Sequence, residues 1–243
     1  MRIFFLCVFF FLTPAVYGQE QLKPYWAAMT RGDYKAAMAE VRPLAERGDA
    51  EAQYRLALLY SDGLAAARDD AQAIAWMRKA AEQGHVRAQV SLGNIYKDGR
   101  GIRADGAQAL GWYRKAADSG DAVAQNNVGF MYASGANGAP DDAEAAKWYR
   151  LAADQGLPGA QSNLGVLYLK GSGVPQDDFE AVQWIRRAAL QGEAYAQYNL
   201  GLMYAQGRGV VVKDERQAVD WLVKAATAGY APAAELLERF RPR

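Results

Sequence analysis

Cysteine and histidine are nearly missing from this 243-residue chain, which has one of each, Cys7 and His85. A zinc site of histidine and cysteine ligands is thereby excluded, and so is a disulfide within the chain. His85 follows Gly84 at a position where variable residues are normal, and is expected at the surface. Motifs that carry nucleophiles or cradle phosphates are missing too. No Ser-x-x-Lys, Gly-x-Ser-x-Gly or Gly-Lys-Ser occurs, so acyl-enzyme and nucleotide mechanisms lack their reacting groups. Charge of one sign is also lacking: 28 Lys and Arg against 27 Asp and Glu leave a net +1, with no footprint for nucleic acid or anionic lipid. What remains is a chain that is 51% apolar and long enough to bury a large core.

The first segment reads Met1-Arg2, an apolar run from Ile3 to Leu12, then Pro14 and Gly18. That run is far shorter than the ~20 residues of a spanning helix, and the pattern is that of a secretory signal peptide over 1–18, cleaved after Gly18. Cys7 lies inside the run behind Leu6, where a lipoprotein processing site wants a small residue. The expectation is therefore export, to the periplasm or out of the cell, with no stable membrane anchor after cleavage. A mature chain without cysteine must draw all its stability from packing.

Self-similarity is the strongest signal. Gly48, Gly84, Gly120, Gly156 and Gly192 recur every 36 residues, with Gly229 following after 37. Tyr60, Tyr96, Tyr132, Tyr168 and Tyr204 keep the interval, as do Gln53, Gln89, Gln125, Gln161 and Gln197. Five tryptophans, Trp76, Trp112, Trp148, Trp184 and Trp221, do nearly the same. Five repeats follow, 48–83, 84–119, 120–155, 156–191 and 192–228, between a capping helix pair over 19–47 and a capping helix over 230–243.

Within the last repeat, Ala196, Leu200 and Tyr204 stand four apart on one helix face. Gly207 ends that helix, Arg208-Gly209-Val210 turns, and Asp214 caps a second helix bearing Ala218, Leu222 and Ala225. Helices so short are marginal alone and must be stabilised by stacking. Gly93, Gly129, Gly165 and Gly201 on first helices, with Ala116-Ala117 and Ala188-Ala189 on second helices, allow close approach.

The pattern A-x-x-x-L-G-x-x-Y-x-x-G-x-G-V, then Asp, then A-x-x-W-x-x-x-A-A-x-x-G, seen from Ala160 to Gly192, resembles the Sel1-like repeat, a relative of the tetratricopeptide repeat. The resemblance implies an all-α, right-handed α-solenoid of antiparallel helix pairs, with first helices lining a concave face, and an adaptor role in assemblies. The sequence departs from it at Ala57, at Leu64-Ala65-Ala66 and at Gly135-Ala136-Asn137-Gly138. Cysteine-rich members linked to β-lactams carry paired cysteines in each repeat, and none occurs here.

If first helices line a groove, its residues are those offset from the buried stripe. Repeat one offers Glu51, Tyr54 and Leu58; repeat two Arg87, Val90, Asn94 and Lys97. Repeat three offers Val123, Asn126 and Phe130; repeat four Ser162, Val166, Leu169 and Lys170; repeat five Tyr195, Tyr198, Leu202 and Gln206. Leu58, Phe130, Val166 and Leu202 would form an apolar floor for a peptide.

The tryptophans and the repeating tyrosines are expected in the core, at the seams between repeats and on the buried face of the first helices. The repeating glutamines are expected to bond backbone near a loop. Asp69-Asp70, Asp141-Asp142 and Asp177-Asp178 recur just before second helices, as capping requires and a single active site does not. The reading is an exported, non-enzymatic scaffold for a protein or peptide, with no metal, cofactor or nucleic acid. The alternative is a protein that binds or hydrolyses cell-wall fragments or β-lactams.

Overall fold

A computed structural model describes residues 20–136, 138–209 and 212–240. The expected signal peptide with Cys7, the residue Asn137, the pair Val210 and Val211, and residues 241–243 lie outside them. The described residues form thirteen α-helices and a closing 3-10 turn, with no strand among them. The chain divides into two compact units, one ending at Arg103 and one beginning at Ala104.

The first unit holds α1 (Lys23–Thr30), α2 (Tyr34–Glu46), α3 (Ala50–Asp62), α4 (Asp70–Glu82) and α5 (Val86–Asp98). The second holds α6 (Gly106–Asp118), α7 (Ala122–Ser134), α8 (Asp142–Asp154), α9 (Pro158–Lys170), α10 (Asp178–Leu190), α11 (Ala194–Gln206), α12 (Glu215–Thr227) and α13 (Ala231–Leu237), then the turn Glu238–Phe240. Within each unit every helix packs against the next in chain order, which is the α-solenoid class of fold. The unit boundary falls between α5 and α6, inside a 36-residue repeat rather than at one of its glycines.

Local signals set the helix ends. Asp69, Asp141, Asp177 and Asp214 each accept a hydrogen bond from a backbone N–H of the first turn, as their position before the second helices demands. The first helices α3, α5, α7, α9 and α11 all stop at a left-handed glycine, Gly63, Gly99, Gly135, Gly171 and Gly207. Small residues then let helices cross closely. A Cβ built on Gly165 of α9 would lie 2.5 Å from Ile185 Cγ1 and 3.1 Å from the Ala181 carbonyl oxygen on α10.

The glutamine ladder behaves as its periodicity implies. Gln53, Gln89, Gln125, Gln161 and Gln197 are buried, and each donates to the carbonyl eight residues back, Ala45, Ala81, Ala117, Ala153 and Ala189, at 3.1–3.4 Å. These bonds tie the last turn of one repeat's second helix to the next repeat's first. Gln83, Gln155 and Gln191 in turn donate to the Oε1 of Gln53, Gln125 and Gln161. The corresponding place at the end of α12 is Ala228, which has no side-chain donor, and Gln197 Oε1 is buried without a partner among the described residues.

The tryptophans sit at the seams. Trp184 packs with Ala145, Ala152, Ala160 and Leu164 of α8 and α9, Trp76 packs on the core of α1 to α3, and Trp221 packs on that of α10 and α11. Only Trp112 and Trp184 are fully buried. Trp76, Trp112 and Trp221 each carry a lysine ammonium 3.9 Å from the ring centroid, from Lys79, Lys115 and Lys224.

The tyrosines correct the sequence reading. Tyr60, Tyr96, Tyr132, Tyr168 and Tyr204 are half-buried rather than core, because each hydroxyl accepts a hydrogen bond from an arginine eighteen residues earlier. The donors are Arg42, Arg78, Arg114, Arg150 and Arg186, at 2.6–3.1 Å for Tyr60, Tyr96 and Tyr204. A phenol bonded to a guanidinium stays near water and leaves only its ring in the core.

Candidate binding faces

In the second unit, α7, α9 and α11 supply the expected groove residues. Val123 and Phe130 are 47% and 48% exposed, large values for apolar side chains on a packed helix. Gln206 is exposed, while Asn126, Val166, Leu169, Tyr195, Tyr198 and Leu202 are half-buried. Ser162 does not belong to this surface. It is 1% exposed, and its Oγ has no partner among the described residues. The physical reason is size, since a serine is covered where tyrosines at the same repeat position, Tyr54 and Tyr198, still reach out.

One hydrogen bond fixes how two of these helices lie. Asn163 Nδ2 on α9 donates to Asn126 Oδ1 on α7 at 3.1 Å, so successive first helices stand side by side with these columns on one side. Asn163 is not among the expected groove residues, and Asn199, at the same repeat position, is buried. Their signal is an asparagine at one position of the last three repeats, Asn127, Asn163 and Asn199. At the end of this unit Tyr230 closes over the column, its ring centroid 5.9 Å from that of Tyr195 and 5.1 Å from that of Tyr198.

In the first unit charged residues stand among the expected groove positions. Arg87 and Lys97 are exposed, with Lys97 paired to Asp98 at 2.7 Å, and Val90 is half-buried. Leu58 and Asn94 line a cavity between α3, α4 and α5. Tyr54 stacks on His85 with centroids 4.8 Å apart, and the Arg55 guanidinium lies 5.3 Å from the Tyr54 ring and 4.6 Å from that of Trp26.

His85 is another correction. Its side chain is only 13% exposed, its Nδ1 accepts the Ala88 N–H at 3.1 Å to cap α5, and its Nε2 lies 2.7 Å from Glu51 Oε2. An accepting Nδ1 puts the imidazole proton on Nε2, where it is donated to the carboxylate. Arg55 Nε donates to Glu51 Oε1 at 2.5 Å.

Together these bonds, His85 first, hold the Glu51 carboxyl down to about 2 from the usual 4.5, against the opposing effect of burial. The folded value lies below the unfolded one. Ionised Glu51 therefore contributes stability that is complete above pH 4.5 and is lost as pH falls through about 2. Glu51→Gln should remove this contribution. Acid unfolding midpoints of the two proteins followed by circular dichroism should show a stability gap that narrows between pH 4.5 and 2.

Among the described residues no group of three histidine, cysteine or acidic side chains could hold a metal, and no helix is long and apolar enough to cross a membrane.

Five consecutive segments, 50–85, 86–121, 122–157, 158–193 and 194–230, match the Sel1 repeat. The chain belongs to the Sel1 repeat family. These segments keep the period of the glycine-to-glycine units and begin two residues later. A protective antigen of uropathogenic Escherichia coli with an SLR fold is 34% identical, with TM-score 0.82 over 89% of this chain and 47% of that one. A Sel1 repeat protein of Oxalobacter formigenes is 39% identical, with TM-score 0.73 over 85% of this chain and 60% of that one. The chain thus spans about half to three fifths of the length of these two relatives. An immunity protein of Pseudomonas aeruginosa is 26% identical, with TM-score 0.51 over 76% of this chain and 68% of that one. No curated protein matches the sequence. Sel1 repeat proteins are generally scaffolds for protein interaction, and typically not catalysts.

Proposed function

We propose that this Sel1 repeat protein is an exported, non-enzymatic scaffold that holds a partner protein or peptide against the first helices of its second unit, α7, α9 and α11. The carrying observation is the exposure of Phe130 and Val123 at 48% and 47%, on the face where Asn163 bonds Asn126 and to which Val166 and Leu202 belong by repeat position. Apolar anchors on such a face supply most of the binding energy of an interface, while charges around it set orientation and rate. Export rests on the leader sequence over 1–18.

A photoreactive amino acid in place of Val123 tests this in the native cell. It should crosslink one discrete partner, and Phe130→Asp with Leu202→Asp should weaken capture at least about tenfold while helical circular dichroism is unchanged, because a carboxylate buried in an apolar contact is costly. Undiminished capture by the double variant would overturn the reading, as would loss of folding, which would place both side chains in the core. The mass of the mature chain from the native host should correspond to a start at Gln19.

A further inference from the structure

The cavity in the first unit measures about 320 Å³. Leu58, Ile74, Met77 and Ile95 supply its apolar lining, Ser61, Ser91 and Asn94 its neutral polar lining, and Asp62, Arg68, Asp70 and Arg100 its charges. The corresponding corner of the last two repeats is built differently. There Arg208, the residue after the stop glycine of α11, grips Asp178 at the start of α10 with both ends of its guanidinium, at 2.9 and 2.6 Å. The same arginine reaches the Leu169 carbonyl at 3.1 Å.

Arg100 and Asp70 occupy those two places in the first unit, but they are not so joined. Arg68 takes the Asp70 carboxylate instead, with bonds of 2.7 and 3.0 Å. The residues preceding the caps of the other second helices are Ala104, Pro140, Gln176 and Lys213, so an arginine at this place is peculiar to repeat one. Arg100 is left with Asp98 at 3.6 Å, a carboxylate that Lys97 already holds at 2.7 Å.

Asp62 is the second spare charge. Its carboxylate accepts from the Ser61 hydroxyl at 3.1 Å and makes no ion pair among the described residues. Asp62, Arg68, Asp70 and Arg100 line the same cavity, two carboxylates and two guanidiniums. The Arg68–Asp70 pair satisfies itself, which leaves the negative charge of Asp62 and the positive charge of Arg100 beside the apolar residues of the same cavity.

We infer that this cavity binds a small zwitterion with an apolar side chain, a free amino acid or a very short peptide. Its ammonium is taken by Asp62, its carboxylate by Arg100, and its side chain by Leu58, Ile74, Met77 and Ile95. The volume is at the small end of the ligand-cavity range of about 300–1,000 Å³, which suits a ligand of that size. A guanidinium is matched to a carboxylate by its fork of donors. A single chain terminus of a large partner would satisfy one of these two charges and leave the other unanswered, whereas a zwitterion answers both. This site is separate from the proposed scaffold face, and either can fail without the other.

Leucine is the probe. Titration of the full chain, followed by chemical shifts of the cavity residues, should show saturable leucine binding. N-acetyl-leucine, leucinamide and glycine should each bind at least about tenfold more weakly, since each lacks one of the three contacts. Arg100→Gln should erase the preference for leucine over leucinamide alone, and Asp62→Asn the preference over N-acetyl-leucine alone. Arg68→Gln should release Asp70 to Arg100, close the cavity in the manner of Arg208, and abolish leucine binding. Absence of saturable shifts at about 10 mM leucine would overturn the inference. So would equal binding of leucine and its two blocked forms, or charge variants that fold and leave both preferences intact.

Discussion

Replacing Gly173 by alanine should lower the unfolding free energy by about 3 kcal/mol or more. Two costs combine. The residue has φ +70°, a left-handed conformation that costs an L-residue about 1–2 kcal/mol. Its added Cβ would also lie 2.2 Å from the carbonyl carbon and oxygen of Asp142 and 2.4 Å from the amide nitrogen of Ala143. Those are backbone atoms in the first turn of α8, so no side chain can swing aside, and the loop after α9 must lift off the helix it rests on. Gly156 is the control, because it has φ +90° with open space around the built Cβ and should show the conformational cost alone. Urea midpoints at unchanged m-value separate the two variants.

Trp184→Ala should cost about 3–5 kcal/mol, the range for emptying a large aromatic site in a packed core. The ring is 5% exposed, lies among alanines and leucines of α8 and α9, and donates Nε1–H to Glu180 at 3.2 Å. Arg150 and Arg187 approach it at 4.9 and 4.5 Å from the centroid. Trp76→Ala should cost clearly less, since that ring is only half-buried. Parallel urea denaturation of the two variants measures the difference. A sugar-stacking role would need an open ring face, and at Trp184 alanines, leucines and guanidinium groups surround the ring.

The period, the helix pairs and the caps were legible because each depends on residues close in sequence. Gln161 could be expected to reach backbone from its recurrence alone, and Asp214 to cap from its place before an apolar stripe. The tyrosines depart from the core expectation for the opposite reason. Arg150 meets Tyr168 from the preceding repeat, and although arginines recur at 42, 78, 114, 150 and 186, nothing in one helix says which column they face. The expectation of His85 at the surface overlooks its place in the repeat, shared with the caps Asp49, Asp121 and Glu193, which points to a bond with a helix start. Ser162 shows the limit of helical phase as a guide, since angle places a Cβ but the bulk of the neighbours decides whether water reaches it. The cavity beside Arg100 was out of reach, because it depends on which of two arginines captures Asp70.

From α2 to α12 every helix is thirteen residues long, and the same amide-to-carbonyl bond, eight residues apart, recurs at each joint from Gln53 to Gln197. Such joints are interchangeable parts. Excision of 158–193 would bring Gln197 to the Ala153 carbonyl that Gln161 now serves, with no change of register on either side of the splice. A chain made this way can grow or shrink across generations in whole modules, gaining or losing surface while each surviving joint keeps its geometry.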